Sequence, residues 1–215
     1  MTRFAFVTFL TFVRAPLALA AALCTLANLA RPSWGWIAAT AAMLAVSALT
    51  DLFDGKLARR WGVVSRVGAL ADPLMDKLFY VATLPTATFA ALYLGDTCHA
   101  LVLLALDVAS MARDLWVTFL RAATSGTEAK MAASMVGKVR TAMALPVLAF
   151  AHFALGVRAL ERGGAVAWHI PMATLYALEA ALFLATILSG LTYTRYYLPF
   201  LAHDAGGLAR RPGIR

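Results

Sequence analysis

Residues 51–76 read DLFDGKLARRWGVVSRVGALADPLMD, and the stretches on either side of them carry no charge: Pro32 to Thr50 before and Leu78 to Gly95 after. A bilayer-crossing helix needs about 20 mostly apolar residues. The sequence therefore predicts two membrane helices joined by a polar connection. Asp51 and Asp54, three apart, close the first helix, and Asp72 and Asp76, four apart, open the second. Each spacing sets its two carboxylates on one helical face. When the connection folds back, all four converge at one depth.

Four more apolar stretches extend this pattern, giving six candidate spans at about 15–30, 33–53, 70–94, 98–120, 139–158 and 170–200. Asp107 interrupts the fourth and Glu179 the sixth. Residues 1–14, MTRFAFVTFLTFVR, read as an amphipathic helix lying at the interface before the first span. The expected fold is all-α and integral to the membrane, a single domain over residues 1–215 with a loosely ordered tail from about 203.

Composition supports a membrane class. Hydrophobic residues make up 62% of the chain and charged residues 14%, against roughly 25% charged in soluble domains. Mean hydropathy is +0.76. With six spans, all but three of the 19 Lys and Arg fall on the side holding both termini; Arg31, Arg158 and Arg162 are the exceptions. The positive-inside rule makes that side cytoplasmic. The net charge of +8 is then a topology signal and an attraction to anionic headgroups, and nucleic-acid binding is not expected. Cys24 and Cys98 read as small apolar residues. The first apolar stretch contains Arg14 and lacks a clean cleavage site, so it reads as retained.

Four carboxylates gathered in a membrane protein are costly unless compensated. Singly, each Asp is explained by a helix cap or by pairing with Lys56, Arg59, Arg66 or Lys77. Together, at two helical spacings, they suit divalent cations that prefer hard oxygen ligands, Mg²⁺ or Mn²⁺. Gly55, next to Asp54, would let a phosphate approach the backbone, and Gly68 would permit tight helix contact or substrate access; small residues at a helix interface explain either alone.

The pattern Asp51-x2-Asp54-Gly55-x2-Ala58-Arg59-x8-Gly68-x3-Asp72-x3-Asp76 fixes eight residues over 26 positions. It resembles the full signature of the CDP-alcohol phosphotransferase family, and the six-span layout extends that resemblance over most of the chain. The resemblance implies a binuclear Mg²⁺ or Mn²⁺ site with Asp51, Asp54, Asp72 and Asp76 as ligands, and Asp76 as general base. It further implies a CDP-lipid site at Gly55, Ala58, Arg59, Ser65 and Gly68, CDP-diacylglycerol as donor, and a homodimer.

A second basic set, Arg113, Arg121, Lys138 and Arg140, lies on the same side. Any one is explained as positive-inside flanking charge; as a group they suit an acceptor that carries its own phosphate. Arg113-Asp114 and Gly137-Lys138-Val-Arg140-Thr141 resemble the phosphatidylglycerophosphate synthase branch, which implies sn-glycerol 3-phosphate as acceptor. Three positions depart from that branch: Thr8 where relatives often have Asn before a Thr-x-x-Arg run (here Thr11 to Arg14), Asp114 for Glu, and Ala144 for Gln. Inositol phosphate and phosphatidylglycerol are the alternative acceptors. A small transporter, the rival from another class, predicts acids spread through the bilayer depth and often an inverted repeat. Here the four acids cluster at one end and no repeat is visible.

Overall fold

The computed structural model describes residues 2–63, 65–125, 134–166 and 170–208. They form six helices in chain order: α1 (Arg3–Ala30), α2 (Trp34–Trp61), α3 (Arg66–Tyr93), α4 (Thr97–Ala123), α5 (Met135–Arg162) and α6 (Met172–Leu208). Polar side chains set where most of them begin. Thr2, Ser33, Ser65, Asp96 and Ser134 each cap a helix by accepting a backbone N–H three residues on, which satisfies one of the first-turn donors that have no intrahelical partner. The end of α2 is set by Gly62, whose φ of 64° lies in the left-handed region where a side chain is strained. There the Val63 N–H bonds back to the Ala58 carbonyl at 3.0 Å.

Six helices stand where six spans were expected, and they support a helical membrane protein. Among the described residues, four helices, α1, α2, α5 and α6, are long and apolar enough to cross a membrane. The other two also carry charges: Asp72, Asp76 and Lys77 on α3, and Asp107, Arg113, Asp114 and Arg121 on α4. The surface of the bundle is apolar. Phe9, Leu19, Leu23, Leu49, Leu101, Val108, Leu184 and Leu188 all point outward, as expected when lipid rather than water is the neighbour.

Lipid tails are as apolar as leucine, so close backbone approach rather than the hydrophobic effect draws such helices together. The interior accordingly mixes alanine with leucine: Leu84, Ala87, Ala90 and Ala91 of α3, Leu103 and Leu106 of α4, and Leu148 and Leu155 of α5 form one cluster. The tightest point is Gly156, where an added Cβ would sit 2.9 Å from Ile37 Cγ1. Buried polar groups tie the helices crosswise. His152 bonds Thr25 at 3.0 Å and the Thr83 carbonyl at 3.2 Å, and His99 bonds Glu179 at 2.9 Å with both side chains fully buried.

Two expectations change. Residues 1–14 do not form a separate interfacial helix, because α1 runs unbroken from Arg3 to Ala30 through Pro16. The amphipathic pattern is real, but its polar face serves the bundle: Phe4, Phe9 and Phe12 are exposed, whereas Val7, Thr11 and Arg14 are buried. Likewise α6 stays helical through Leu208, beyond the start of the expected tail at about 203; 209–215 lie outside the described residues.

Candidate active site

The end of α2 and the start of α3 bring the aspartates together as their spacing predicts. Asp51, Asp72 and Asp76 each place a carboxylate oxygen within 4.8 Å of the others. Asp54 lies deeper, on the same face of α2, and joins them through α1 rather than directly. The Thr11 hydroxyl donates to Asp54 Oδ2 at 2.9 Å.

At the centre stands Arg14, a residue that sequence reasoning placed at the cytoplasmic flank. It is only 3% exposed, and its guanidinium touches all four aspartates. Nη1 donates to Asp51 and, at 3.0 Å, to Asp76; Nη2 donates to Asp72 and, at 3.4 Å, to Asp54. One unit of positive charge thus faces four carboxylates. The donors are hard, anionic oxygens packed closely enough to share a cation, so the residues present fit divalent ions of the Mg²⁺ type. The only hint in the sequence was Arg14 itself, a lone charge beside an otherwise uncharged stretch.

Of the residues that the resemblance assigns to the CDP-lipid, Gly55, Ala58 and Arg59 follow Asp54 on α2, and Ser65 and Gly68 precede Asp72 at the start of α3. Arg59 folds back along α2 over Gly55, where an added Cβ would meet its Nη1 at 3.4 Å. A guanidinium over bare backbone suits a phosphate group. Ala58 sits half-buried beside it. Ser65 caps α3 by accepting the Gly68 N–H at 2.9 Å, and a Cβ at Gly68 would crowd that hydroxyl at 3.1 Å. Gly68 therefore fits the cap as well as any helix contact.

A cavity of about 720 Å³ runs from Asp51 and Asp76 to Arg113, Arg121, Lys138 and Arg140, with Arg14 and Tyr80 also on its wall. All four predicted acceptor residues thus share one cavity with two of the aspartates. Their states differ. Arg140 is buried, held by Asp114 at 3.1 and 3.3 Å and by Thr186 at 3.3 Å, with its guanidinium over the Tyr80 ring. Arg113 bonds Asp114 at 2.8 Å and Ser189 at 2.6 Å. It also stacks on Tyr193, as does Arg121, which donates to the Tyr193 hydroxyl at 3.2 Å. Lys138 is exposed and makes no ion pair among the described residues. Asp114 and Tyr193 organise this wall, and neither stood out as an organiser from spacing. Gly137 packs beside this wall: a Cβ there would meet Ser189 Oγ and Arg113 Nη2 at ordinary contact distance and would crowd the capping Ser134 hydroxyl at 3.1 Å.

The two further intramembrane acids lie elsewhere. Glu179 pairs with His99, while Asp107 Oδ1 is buried without a hydrogen-bond partner among the described residues.

A profile of the CDP-alcohol phosphatidyltransferase family matches residues 5–192. The chain belongs to this family. It is also 33% identical over 112 residues to the CDP-diacylglycerol–glycerol-3-phosphate 3-phosphatidyltransferases of Escherichia coli (strain K12), Escherichia coli O157:H7 and Shigella flexneri serotype 5b (strain 8401). Each of these matches spans 52% of this chain and 59% of the relative's length. The family match runs from α1 into α6, so it takes in Arg14, Asp114 and Arg140 as well as the four aspartates.

Proposed function

We propose that this protein transfers a phosphatidyl group from CDP-diacylglycerol to the hydroxyl of sn-glycerol 3-phosphate, releasing CMP. The observation that carries this reading is the single cavity joining the aspartate cluster to four basic residues. Membership of the family supports the donor and the chemistry, and the similarity to the three glycerol-3-phosphate phosphatidyltransferases supports the acceptor.

Asp51, Asp54, Asp72 and Asp76 would hold Mg²⁺ or Mn²⁺, two ions per site, and bound ions would neutralise the diphosphate and stabilise CMP as it leaves. Arg59 over Gly55, with Ala58, Ser65 and Gly68, receives the cytidylyl side of the donor. The acceptor enters the cavity with its phosphate toward Arg113, Arg121, Lys138 and Arg140. That set of four cations faces one internal acid, Asp114, and so keeps a positive excess for a phosphate dianion. Asp76, on the cavity wall, takes the proton of the attacking hydroxyl. A new bond forms between the acceptor oxygen and the phosphorus that carries the diacylglycerol, and the bond from that phosphorus to CMP breaks. The lipid tails remain in the bilayer. This assignment places all six helices across the cytoplasmic membrane, in one domain with its site at the cytoplasmic face, and the protein works as a homodimer.

A detergent-solubilised assay of CMP release tests the reading, using CDP-diacylglycerol, Mg²⁺ or Mn²⁺, and a panel of acceptors. Release with glycerol 3-phosphate is expected. Release with inositol phosphate or phosphatidylglycerol instead would overturn the acceptor, and no metal-dependent release with any acceptor would sink the enzyme reading.

A further inference from the structure

From the fourfold contact of one buried guanidinium, we infer that Arg14 is a built-in counter-cation of the aspartate cluster, which divalent ions displace when they bind. The inference rests on the metal-site reading above and concerns what that site does before it is loaded.

Three observations lead to it. The first is shared oxygens. Asp51 and Asp76 both accept from Nη1 through their Oδ1 atoms, and Asp72 accepts from Nη2 through its own. These three residues are the ones whose carboxylates lie close enough to hold an ion together. A cation that draws on the same oxygens competes with the guanidinium for the same lone pairs.

The second is the direction of approach. Arg14 reaches the cluster from inside the bundle, with its side chain 4% exposed, while Asp51, Asp72 and Asp76 are 48%, 53% and 50% exposed. Ions therefore reach the carboxylates from outside without first passing the arginine. The third is room to move. Arg14 lines the 720 Å³ cavity, so a displaced guanidinium has open space within reach of its own stem, with Asp114 also on the cavity wall.

Charge explains why such a device is needed. Four carboxylates with no cation among them would repel across the α1–α2–α3 junction, and removing the partner of a buried charge is strongly destabilising. An arginine suits the post because its charge is permanent and its guanidinium is more weakly hydrated than an ammonium. It lets the site fold assembled, and the same contacts then oppose ion entry. Apparent metal affinity is set by the difference.

The test uses the full chain in detergent without substrate, comparing wild type with Arg14→Gln and Arg14→Lys. Mn²⁺ binding is followed by the electron paramagnetic resonance signal of the free ion, and unfolding by tryptophan fluorescence. In chelator, Arg14→Gln should melt below wild type, and Mn²⁺ should raise its melting temperature by more. Its Mn²⁺ dissociation constant should fall about tenfold or more, the scale expected when a unit charge is removed beside a divalent ion. Folding only when Mn²⁺ is present would support the inference in its strongest form. An unchanged or weaker Mn²⁺ affinity in Arg14→Gln, with wild type binding normally, would overturn it alone. No binding by any variant would sink the metal reading and this inference with it. Should Arg14→Gln fail to fold under both conditions, Arg14→Lys decides. Its single ammonium spans fewer carboxylates, so tighter Mn²⁺ binding than wild type supports displacement, and wild-type affinity contradicts it.

Discussion

Replacing Asp114 by alanine should cost both stability and turnover, and the structure sets the scale. Asp114 accepts three charge-assisted hydrogen bonds, from Arg113 at 2.8 Å and from Arg140 at 3.1 and 3.3 Å. Breaking a buried ion pair by deleting one partner costs about 3–5 kcal/mol. Two features lower that figure here. Arg113 keeps Ser189 and Arg140 keeps Thr186, and the adjoining cavity admits water or an acceptor phosphate. A loss of about 2–3 kcal/mol follows, or a melting temperature lower by roughly 4–12 °C for a chain of this length. The kinetic effect should split. Removing the acid leaves the cavity more positive, so KM for a phosphorylated acceptor should not rise; the arginines lose their fixed orientation, so kcat should fall by about tenfold, near 1.4 kcal/mol. Fluorescence-monitored unfolding and CMP release against acceptor concentration read the two effects. Asp114→Glu, which restores the charge, should recover most of the lost melting temperature. Wild-type melting and wild-type kcat in Asp114→Ala would refute the argument that this acid organises the acceptor wall.

Three further outcomes follow from other contacts. Gly156→Ala should destabilise the bundle by about 1–3 kcal/mol through overpacking against Ile37, and pairing it with Ile37→Ala should cost less than the sum of the two, measured by thermal unfolding. Thr11→Val, which removes the 2.9 Å bond to Asp54, should lower kcat/KM by roughly tenfold; an unchanged value would show that Asp54 needs no support from α1. Asp96, at the start of α4, is held below the ordinary carboxyl value of 3.8: partial burial pushes it up, but the His99 backbone N–H and the Arg158 guanidinium outweigh that. A lowered folded-state value contributes stability that is present above the unfolded value and lost as pH falls through the folded one. The melting-temperature gap between wild type and Asp96→Asn should therefore be widest near neutral pH and close on acidification below about pH 4; a gap independent of pH would contradict this.

The helices and the aspartate cluster were legible because both rest on periodicity: apolar length marks the spans, and spacings of three and four put carboxylates on one face. Arg14 was not legible, since a basic residue near an N-terminus fits the positive-inside rule wherever it points. Only the packing of α1 against α2 and α3 turns it inward. The same ambiguity hid the continuity of α1 from Arg3 to Ala30: the polar stripe of Thr11 and Arg14 suits water or a polar bundle interior equally, and the partner decides. Arg113, Arg121, Lys138 and Arg140 were grouped on charge and expected side, and they line one cavity, but their grading was invisible. Burial under Tyr80 and Tyr193 separates the braced Arg140 and Arg113 from the exposed Lys138, and contacts between distant helices leave no local trace in sequence.

In the function we propose, the four aspartates form a metal-dependent site for transfer from CDP-diacylglycerol to an acceptor in the adjoining cavity. Its most direct measurement is CMP release by the purified protein with CDP-diacylglycerol and glycerol 3-phosphate, before and after chelation, in wild type and Asp76→Asn. Release by wild type that chelator abolishes and Mg²⁺ or Mn²⁺ restores is expected, with a loss of at least about a hundredfold in Asp76→Asn, the size typical of removing a general base. Release that survives chelation, or equal turnover by Asp76→Asn, would contradict that function.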